Sequence, residues 1–312
     1  MASTVKVAPA ICLRNILFLT DFSEPSERSL PFVAALARWR DATVHALHVV
    51  VPDPLVVGAP ETASIAFEAK CEQAFASMKD IKPHLAGVAH ECLVEQAVNV
   101  WDAVEQAIRD YSVDLIVAGT HGRTGAQRFL LGSAAEEILR RSPVPVMTIG
   151  PAAQFKAGSE WRFPRVLYAT DFSPTSLAAA PFAIFLASET ESRLVLLHVL
   201  RMAAPRQSGD ETRESVAETI HRLRSIVPEA KKPGTAPEAL IEYGRPAERI
   251  LEVAHYRNAD AIVLGVRSAR GHLASATHFE RALAHEVVAQ APCPVITVCC
   301  ENCGLAGRAP AD

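Results

Sequence analysis

The strongest constraint on the fold is that the chain contains itself twice. Residues Ile16–Ser23 (ILFLTDFS) return 150 positions later as Val166–Ser173 (VLYATDFS), and Leu47, His48 and Val49 return at the same offset as Leu197, His198 and Val199. Asp114–Gly119 (DLIVAG) returns as Asp260–Gly265 (DAIVLG) at an offset of 146, and Pro143–Val146 as Pro292–Val295 at 149. A period near 150 is the size of a domain rather than of a solenoid unit, so the chain reads as a tandem duplication. With 312 residues in all, each copy is long enough to bury its own core. The polar stretch 150–160, with Gly150, Pro151 and Gly158, is the expected linker.

Within the first copy, residues 15–20, 43–51, 90–95, 113–119 and 144–149 read as strands too uniformly apolar for a sheet with one wet face. Between them Leu30, Val33, Ala34 and Ala37 fall at helical spacing, and Ala180, Ala183, Ile184 and Ala187 repeat that stripe. Strands buried on both faces and separated by helices imply right-handed crossovers, hence a doubly wound parallel α/β domain in each half. The ligand crevice of such a domain lies at the carboxyl ends of its strands. Segments 52–62 and 203–215, rich in Pro, Gly and acidic residues, are expected surface excursions.

Composition narrows the function classes. A formal charge of -4 argues against nucleic acid or an anionic membrane as main partner, since both need a basic field. No apolar run reaches the roughly 18 residues of a membrane span, and the first residues lack a signal-peptide core, so the expected location is cytoplasmic. The cysteines number seven and lie mostly in apolar stretches, as reduced thiols do. Cys299, Cys300 and Cys303 cluster but supply too few ligands for a closed zinc site, which leaves an incidental cluster, redox sensing or a shared metal.

One loop could carry chemistry. After the strand ending at Gly119 come His121, Gly122, Arg123 and, further on, Gly132 and Ser133, where a helix begins with Ala134. Glycines let backbone amides approach a ligand, and a helix amino end favours an anion, so this is a phosphate site in outline. The structural alternative is a capping box, Ser133 with Glu136 three residues on, behind a glycine-shaped turn. Asp21 likewise reads either as a ligand carboxylate or as an Asx turn before Ser23. His48 and His198, in apolar strands, read as core histidines with one backbone partner. The group His272, His278 and His285 has no carboxylate or cysteine at metal spacing.

The spacing Gly119-x2-Gly122-x9-Gly132-Ser133, preceded by Thr20-Asp21-Phe22-Ser23 and followed by Pro143-Val144-Pro145-Val146, resembles the nucleotide-binding signature of the universal stress protein family. The resemblance spans nearly the whole chain and implies a five-stranded, Rossmann-like sheet per domain, of the adenine nucleotide alpha hydrolase type. It divides the chain into residues 1–150, with an intact nucleotide motif, and 161–303, with a degenerate phosphate loop. For the first domain it implies ATP, or AMP or ADP, with the Val49 backbone against adenine and Thr20 and Asp21 near the adenosine end. Gly119 and Gly122 would then lie beside ribose and phosphates, Gly132, Ser133 and Ala134 around the terminal phosphates, and His121 and Arg123 along the path. Mg²⁺ would offset phosphate charge there, with Asp21 as the acidic neighbour. Family association through the final strand implies that 144–149 and 294–299 make a pseudo-dimer within the chain or a homodimer.

The second half departs from the signature. Gly122 maps to Ser268, and Gly132-Ser133 map to His278-Phe279 or Arg281-Ala282, depending on which offset is counted, so the Gly-Ser pair is lost. No nucleophile elbow, zinc motif or Walker lysine is present, so an efficient hydrolase is not indicated. The expected function is a nucleotide-dependent switch in a stress response with an unknown protein partner. A nucleotide-independent dimerisation or interaction module and a slow ATPase are the alternatives.

Overall fold

The computed structural model describes residues 11–52, 60–120, 131–155, 163–189, 192–200, 209–228, 236–267 and 277–299, with side chains described outside 60–63, 209–215 and 277–282. The first half runs β1 (Asn15–Leu19), α1 (Glu24–Glu27), α2 (Leu30–Arg40), β2 (Thr43–Val50), α3 (Pro60–Ile81), β3 (His90–Gln96), α4 (Val100–Asp110), β4 (Leu115–Gly119), α5 (Ser133–Arg141) and β5 (Val146–Ile149). The second repeats it as β6 (Arg165–Ala169), α6 (Pro174–Leu177), α7 (Ala180–Glu189), β7 (Arg193–Leu200), α8 (Gly209–Ser225), β8 (Glu238–Tyr243), α9 (Pro246–Tyr256), β9 (Ala261–Val266), α10 (Thr277–Gln290) and β10 (Val295–Cys299).

The strands form one ten-stranded sheet in the order β3-β2-β1-β4-β5-β10-β9-β6-β7-β8. Each half contributes a five-stranded parallel block, and the order reverses beside β1 and beside β6, which opens a crevice at each switch point. The blocks meet where β10 pairs antiparallel with β5, Val295 opposite Thr148 and Thr297 opposite Val146. Thr148 Oγ1 donates to Val295 O at 3.1 Å and Thr297 Oγ1 to Val146 O at 3.4 Å, so both buried hydroxyls are satisfied across the seam. Val146 and Thr148 match Val295 and Thr297 at offset 149, and the contact is therefore self-complementary, as a two-fold interface is.

Both faces of the sheet are apolar, and alternate strand residues feed opposite cores. Ile16 and Phe18 join a core that also holds Phe32, Met147, Val166, Phe182 and Ile296, so on this face it is continuous across the seam. Leu17 turns to the other face with Trp101, Val104 and Ile138. The edge strands β3 and β8 are the exceptions to the expected apolarity, each with exposed ends and a half-buried centre. The repeated aspartates prove structural: Asp114 Oδ2 accepts from the N–H groups of Arg14 (2.8 Å) and Asn15 (3.0 Å), and Asp260 Oδ2 from that of Arg165 (3.0 Å).

Two segments hold more structure than composition alone requires. Within the excursions 52–62 and 203–215, α3 begins at Pro60 and α8 at Gly209. At the start of the linker Ala153 is buried, and Phe155 packs edge-on to Phe32 at 5.2 Å. Residues 156–160 lie outside the described part.

Candidate functional site

The repeated motifs build one locked corner in each half. In the first, the chain leaves β1 and turns sharply at Phe22, whose φ of 59° is a left-handed value that a bulky residue adopts only when held. Thr20 Oγ1 accepts from the Phe22 N–H at 3.0 Å, and Asp21 Oδ1 accepts from the N–H of Ser23 at 3.0 Å and from its hydroxyl. The His48 Nδ1–H donates to Thr20 O at 2.8 Å, while its ring lies 4.4 Å from that of Phe22. The second half copies this: Phe172 has φ 61°, Thr170 Oγ1 accepts from Phe172 N at 3.0 Å, and His198 Nδ1 donates to Thr170 O at 2.8 Å. Thr-Asp-Phe-Ser and Leu-His-Val therefore recur together because each holds the other in place.

In the first half this corner is one wall of a crevice of about 260 Å³ at the carboxyl ends of β1, β2 and β4. Of the residues singled out from the sequence, Thr20, Asp21, Val49, Gly119, Gly132, Ser133 and Ala134 all line it. His121, Gly122 and Arg123 lie outside the described residues. Leu47, Val100 and Ile138 add an apolar floor, and His48, read above as a core histidine, is also part of the wall. Leu47 lies in a strand and Val100 and Ile138 on helices, and in neither does an apolar residue by itself distinguish a crevice floor from a core.

The opposite wall is the amino end of α5. Gly132 caps it in an extended conformation, its N–H given to Thr120 O at 2.9 Å, and the first helical bond runs from Glu136 N to Gly132 O. The amides of Ser133, Ala134 and Ala135 thus precede the internal ladder, as helix geometry requires. The capping box does not form: Ser133 is the first helical residue rather than the cap, and no side chain caps this end. The Ser133 hydroxyl is exposed at the crevice instead. Asp21 combines both readings, as an Asx turn and as the one carboxylate among the described residues of the crevice wall. Gly119 has a packing reason of its own, because a Cβ there would meet the Pro25 carbonyl oxygen at 3.0 Å.

The second crevice, about 410 Å³, lies at the mirrored place, between Thr170, Asp171, Val199 and Ile250. Its helix differs. α5 and α10 end at Arg141 and Gln290, 149 positions apart, so Ser133 corresponds to Ala282, yet α10 already starts at Thr277. Among the described residues of α10, Leu283 lines the crevice. Burial opposes ionisation of Asp171, but hydrogen bonds from Ser173 and Ser176 outweigh it and hold its carboxyl below the usual carboxylate range.

The halves also touch beside the first crevice. Leu131 and Ala135 pack into the core of the second half with Val287 and Val288, and the Leu131 N–H donates to His285 Nε2 at 3.4 Å. His285 therefore braces the residue before Gly132; the side chains of His272 and His278 lie outside the described part. Among the described residues, no group of three or more His, Cys, Asp or Glu could hold a metal, and no helix is long and apolar enough to cross a membrane. Cys12, Cys71, Cys92, Cys293 and Cys299 form no disulfide with one another; Cys300 and Cys303 are outside the described residues.

This duplicated, doubly wound architecture has known counterparts. The sequence profile of the universal stress protein family matches the chain twice, over residues 13–150 and 162–298, and the chain belongs to that family. Universal stress protein MJ0531 of Methanocaldococcus jannaschii is 31% identical over 140 residues, 44% of this chain and 81% of its own. Universal stress protein MJ0577 of the same organism is 28% identical over 159 residues, 45% of this chain and 96% of its own. The crystal structure of a universal stress protein from Archaeoglobus fulgidus covers 92% of this chain and 98% of its own with a TM-score of 0.66 and 22% identity, which shows the shared fold.

Proposed function

We propose that the first half, residues 1–150, binds an adenine nucleotide, ATP or its di- or monophosphate, and that occupancy switches the protein between states in a stress response. The observation that carries this reading is the start of α5, Gly132–Ala134, which no side chain caps, facing Asp21 and Val49 across one crevice. Leu47, Val100 and Ile138 would receive the ring, the Val49 backbone would read its edge, and the amides of Ser133 to Ala135 would receive phosphate oxygens. Asp21 is a single carboxylate already engaged with Ser23, so the protein alone does not make a metal site, and a cation such as Mg²⁺ would depend on the phosphates for most of its ligands.

A switch fits this equipment better than a fast enzyme, because the two titratable groups on the described crevice wall serve the fold, Asp21 accepting from Ser23 and the His48 Nδ1–H donating to Thr20 O. A ligand bound to one state stabilises it by about 2.7 kcal/mol at a hundred times Kd, enough to bias an interface. In residues 161–303 the phosphate grip is degenerate on this reading. The packing role of Gly119 favours one rival, a module that uses its glycines only to fold.

The deciding experiment is to purify the protein without added nucleotide, denature it and identify any released small molecule by mass spectrometry. About one adenine nucleotide per chain, lost in Gly132→Ala, is the expected result. No nucleotide, together with no thermal shift in Mg-ATP, would transfer the case to the nucleotide-independent module.

A further inference from the structure

Away from the crevices, near the amino end of β2, a histidine is buried in the sheet. His45 is only 6% exposed. It stands in register between Leu17 of β1 and Glu91 of β3, and the ring of Tyr111, the residue that ends α4, covers it at 4.3 Å between centroids. Its Nε2 is 3.5 Å from Asn15 Oδ1 and its Nδ1 is 3.4 Å from Glu91 Oε2, the latter without the alignment of a hydrogen bond. Both contacts are long, so packing rather than hydrogen bonding seats the ring.

The charged groups around it come from three elements. Glu91 of β3 faces the ring, and Glu95 follows on the same face of that strand. Asp110 adjoins Tyr111 and accepts from Gln106 Nε2 at 2.7 Å, while on the β1 side Asp114 is bound to the N–H groups of Arg14 and Asn15. Burial, and then Glu91, Glu95 and Asp110, push the Tyr111 phenol up, so this cover stays neutral at acid and neutral pH. Burial also opposes a charge on His45 more than the half-exposed Glu91 favours one, which lowers its pKa from the ordinary 6.5.

The second half fills the same place with groups of fixed charge. Val195 is in register with Glu238 as His45 is with Glu91. Arg257, which ends α9 as Tyr111 ends α4, pairs with Glu238 at 2.6 Å. Valine, arginine and a paired glutamate do not change charge between about pH 5 and pH 7.

We propose that His45 makes the outer edge of the first half acid-sensitive: as pH falls below neutral, protonation of this ring favours release of β3 from β2, while the matching edge at β8 holds. β3 is the last strand of the sheet, so its departure with Tyr111 is the smallest opening that brings the ring into water. An opened chain takes up the proton near 6.5 and the closed one only at lower pH. Closure is therefore fully favoured above that value and loses its advantage as pH falls below it. Between pH 7 and pH 5 the opening constant rises by at most about 25-fold, the limit for a ring that never protonates while closed. None of this depends on what occupies either crevice.

Hydrogen exchange of the full chain, read by mass spectrometry at about pH 7 and pH 5 and corrected for the intrinsic rate of amide exchange, is the test. Peptides covering 90–96 should lose protection by about fivefold or more at the lower pH, and those covering 238–243 should not. His45→Val, which copies Val195, should abolish the loss, and so should His45→Gln, which is neutral at every pH. Glu91→Gln removes the carboxylate that eases the charge, so there the loss should persist or deepen. Unchanged protection in the wild-type chain, an equal loss at 238–243, or a loss that survives in either His45 variant overturns the proposal. So does a loss abolished by Glu91→Gln, which would make the carboxylate the sensor. Should neither His45 variant fold, NMR of the wild-type imidazole decides: the ring should titrate below 6.5, and titration at or above it sinks the proposal.

Discussion

The two halves share a corner and part company at one helix. Thr20, Phe22 and His48 match Thr170, Phe172 and His198 in their hydrogen bonding, down to a left-handed phenylalanine in each, while Asp21 takes a hydroxyl from Ser23 and Asp171 takes one from Ser176. Yet α5 opens onto its crevice at Ser133, whereas α10 begins five residues before the matching Ala282 and passes its crevice with Leu283. The corner is a folding device, since it satisfies its own polar groups and does so whether or not a phosphate follows. The start of the helix is the variable part, and in a doubly wound domain that alone can change which charge the crevice accepts.

The comparison breaks most visibly at a pair of glycines. A Cβ on Gly265 would lie 2.1 Å from Thr175 O and 2.6 Å from Ser176 Cα, whereas on Gly119 it would lie 3.0 Å from Pro25 O. All of these are backbone atoms and cannot rotate away. Gly265→Ala should therefore cost about 3 kcal/mol, and Gly119→Ala about 1 kcal/mol, read from urea denaturation midpoints. Equal losses would mean that α1 and α6 seat against β4 and β9 with the same tightness.

The next effect separates binding from stability. Ser133 is exposed in the first turn of α5, where a carboxylate complements the helix dipole, so Ser133→Glu should raise stability by about 0.3 kcal/mol. The same charge would confront the phosphates, and nucleotide affinity should fall about a hundredfold, about 2.8 kcal/mol. An unchanged affinity would show that the phosphates do not lie against this helix start.

A third prediction turns on Tyr168, which stands where the first half has Phe18. Its hydroxyl donates to Ser176 O at 2.7 Å, and burial pushes its phenol up to about 12 from an ordinary 10. The unfolded chain therefore loses this proton first as pH rises. The contribution is constant below pH 10 and is lost between about 10 and 12. Tyr168→Phe should cost about 1 kcal/mol at neutral pH and flatten the alkaline fall in stability, measured by thermal melts across that range.

The strands and the duplication were legible because strands buried on both faces read as continuous apolar runs, and two copies of one pattern confirm each other. The glycine-serine start of α5 was also legible as a helix boundary. Its cap was not: a capping box needs Ser133 outside the helix, and the extended backbone of Gly132 takes that position instead. Nor could any local pattern foretell that α3 and α8 begin inside Pro- and acid-rich segments, since Pro60 suits a first helical turn as well as a loop. The tightness at Gly265 depends on α6, 90 residues upstream of it, and spacing along the chain carries no such distance.

The smallest effect tests whether the second half shapes the first crevice at all. His285 of α10 accepts from the Leu131 N–H at 3.4 Å, a long bond, while Leu131 and Ala135 pack on Val287 and Val288 behind it. Leu131 immediately precedes Gly132, so the acceptor restrains the turn that presents the α5 amides. Its loss should leave the apolar packing intact and loosen only that turn. His285→Ala is expected to lower stability by less than about 1 kcal/mol and nucleotide affinity by about threefold. Packing alone would predict the same stability loss with no affinity change, and so the two readouts separate. His285→Gln, which keeps an acceptor at similar reach, should recover affinity more than stability; if it recovers neither, the bond is incidental and the second half supports the crevice through its apolar contacts only.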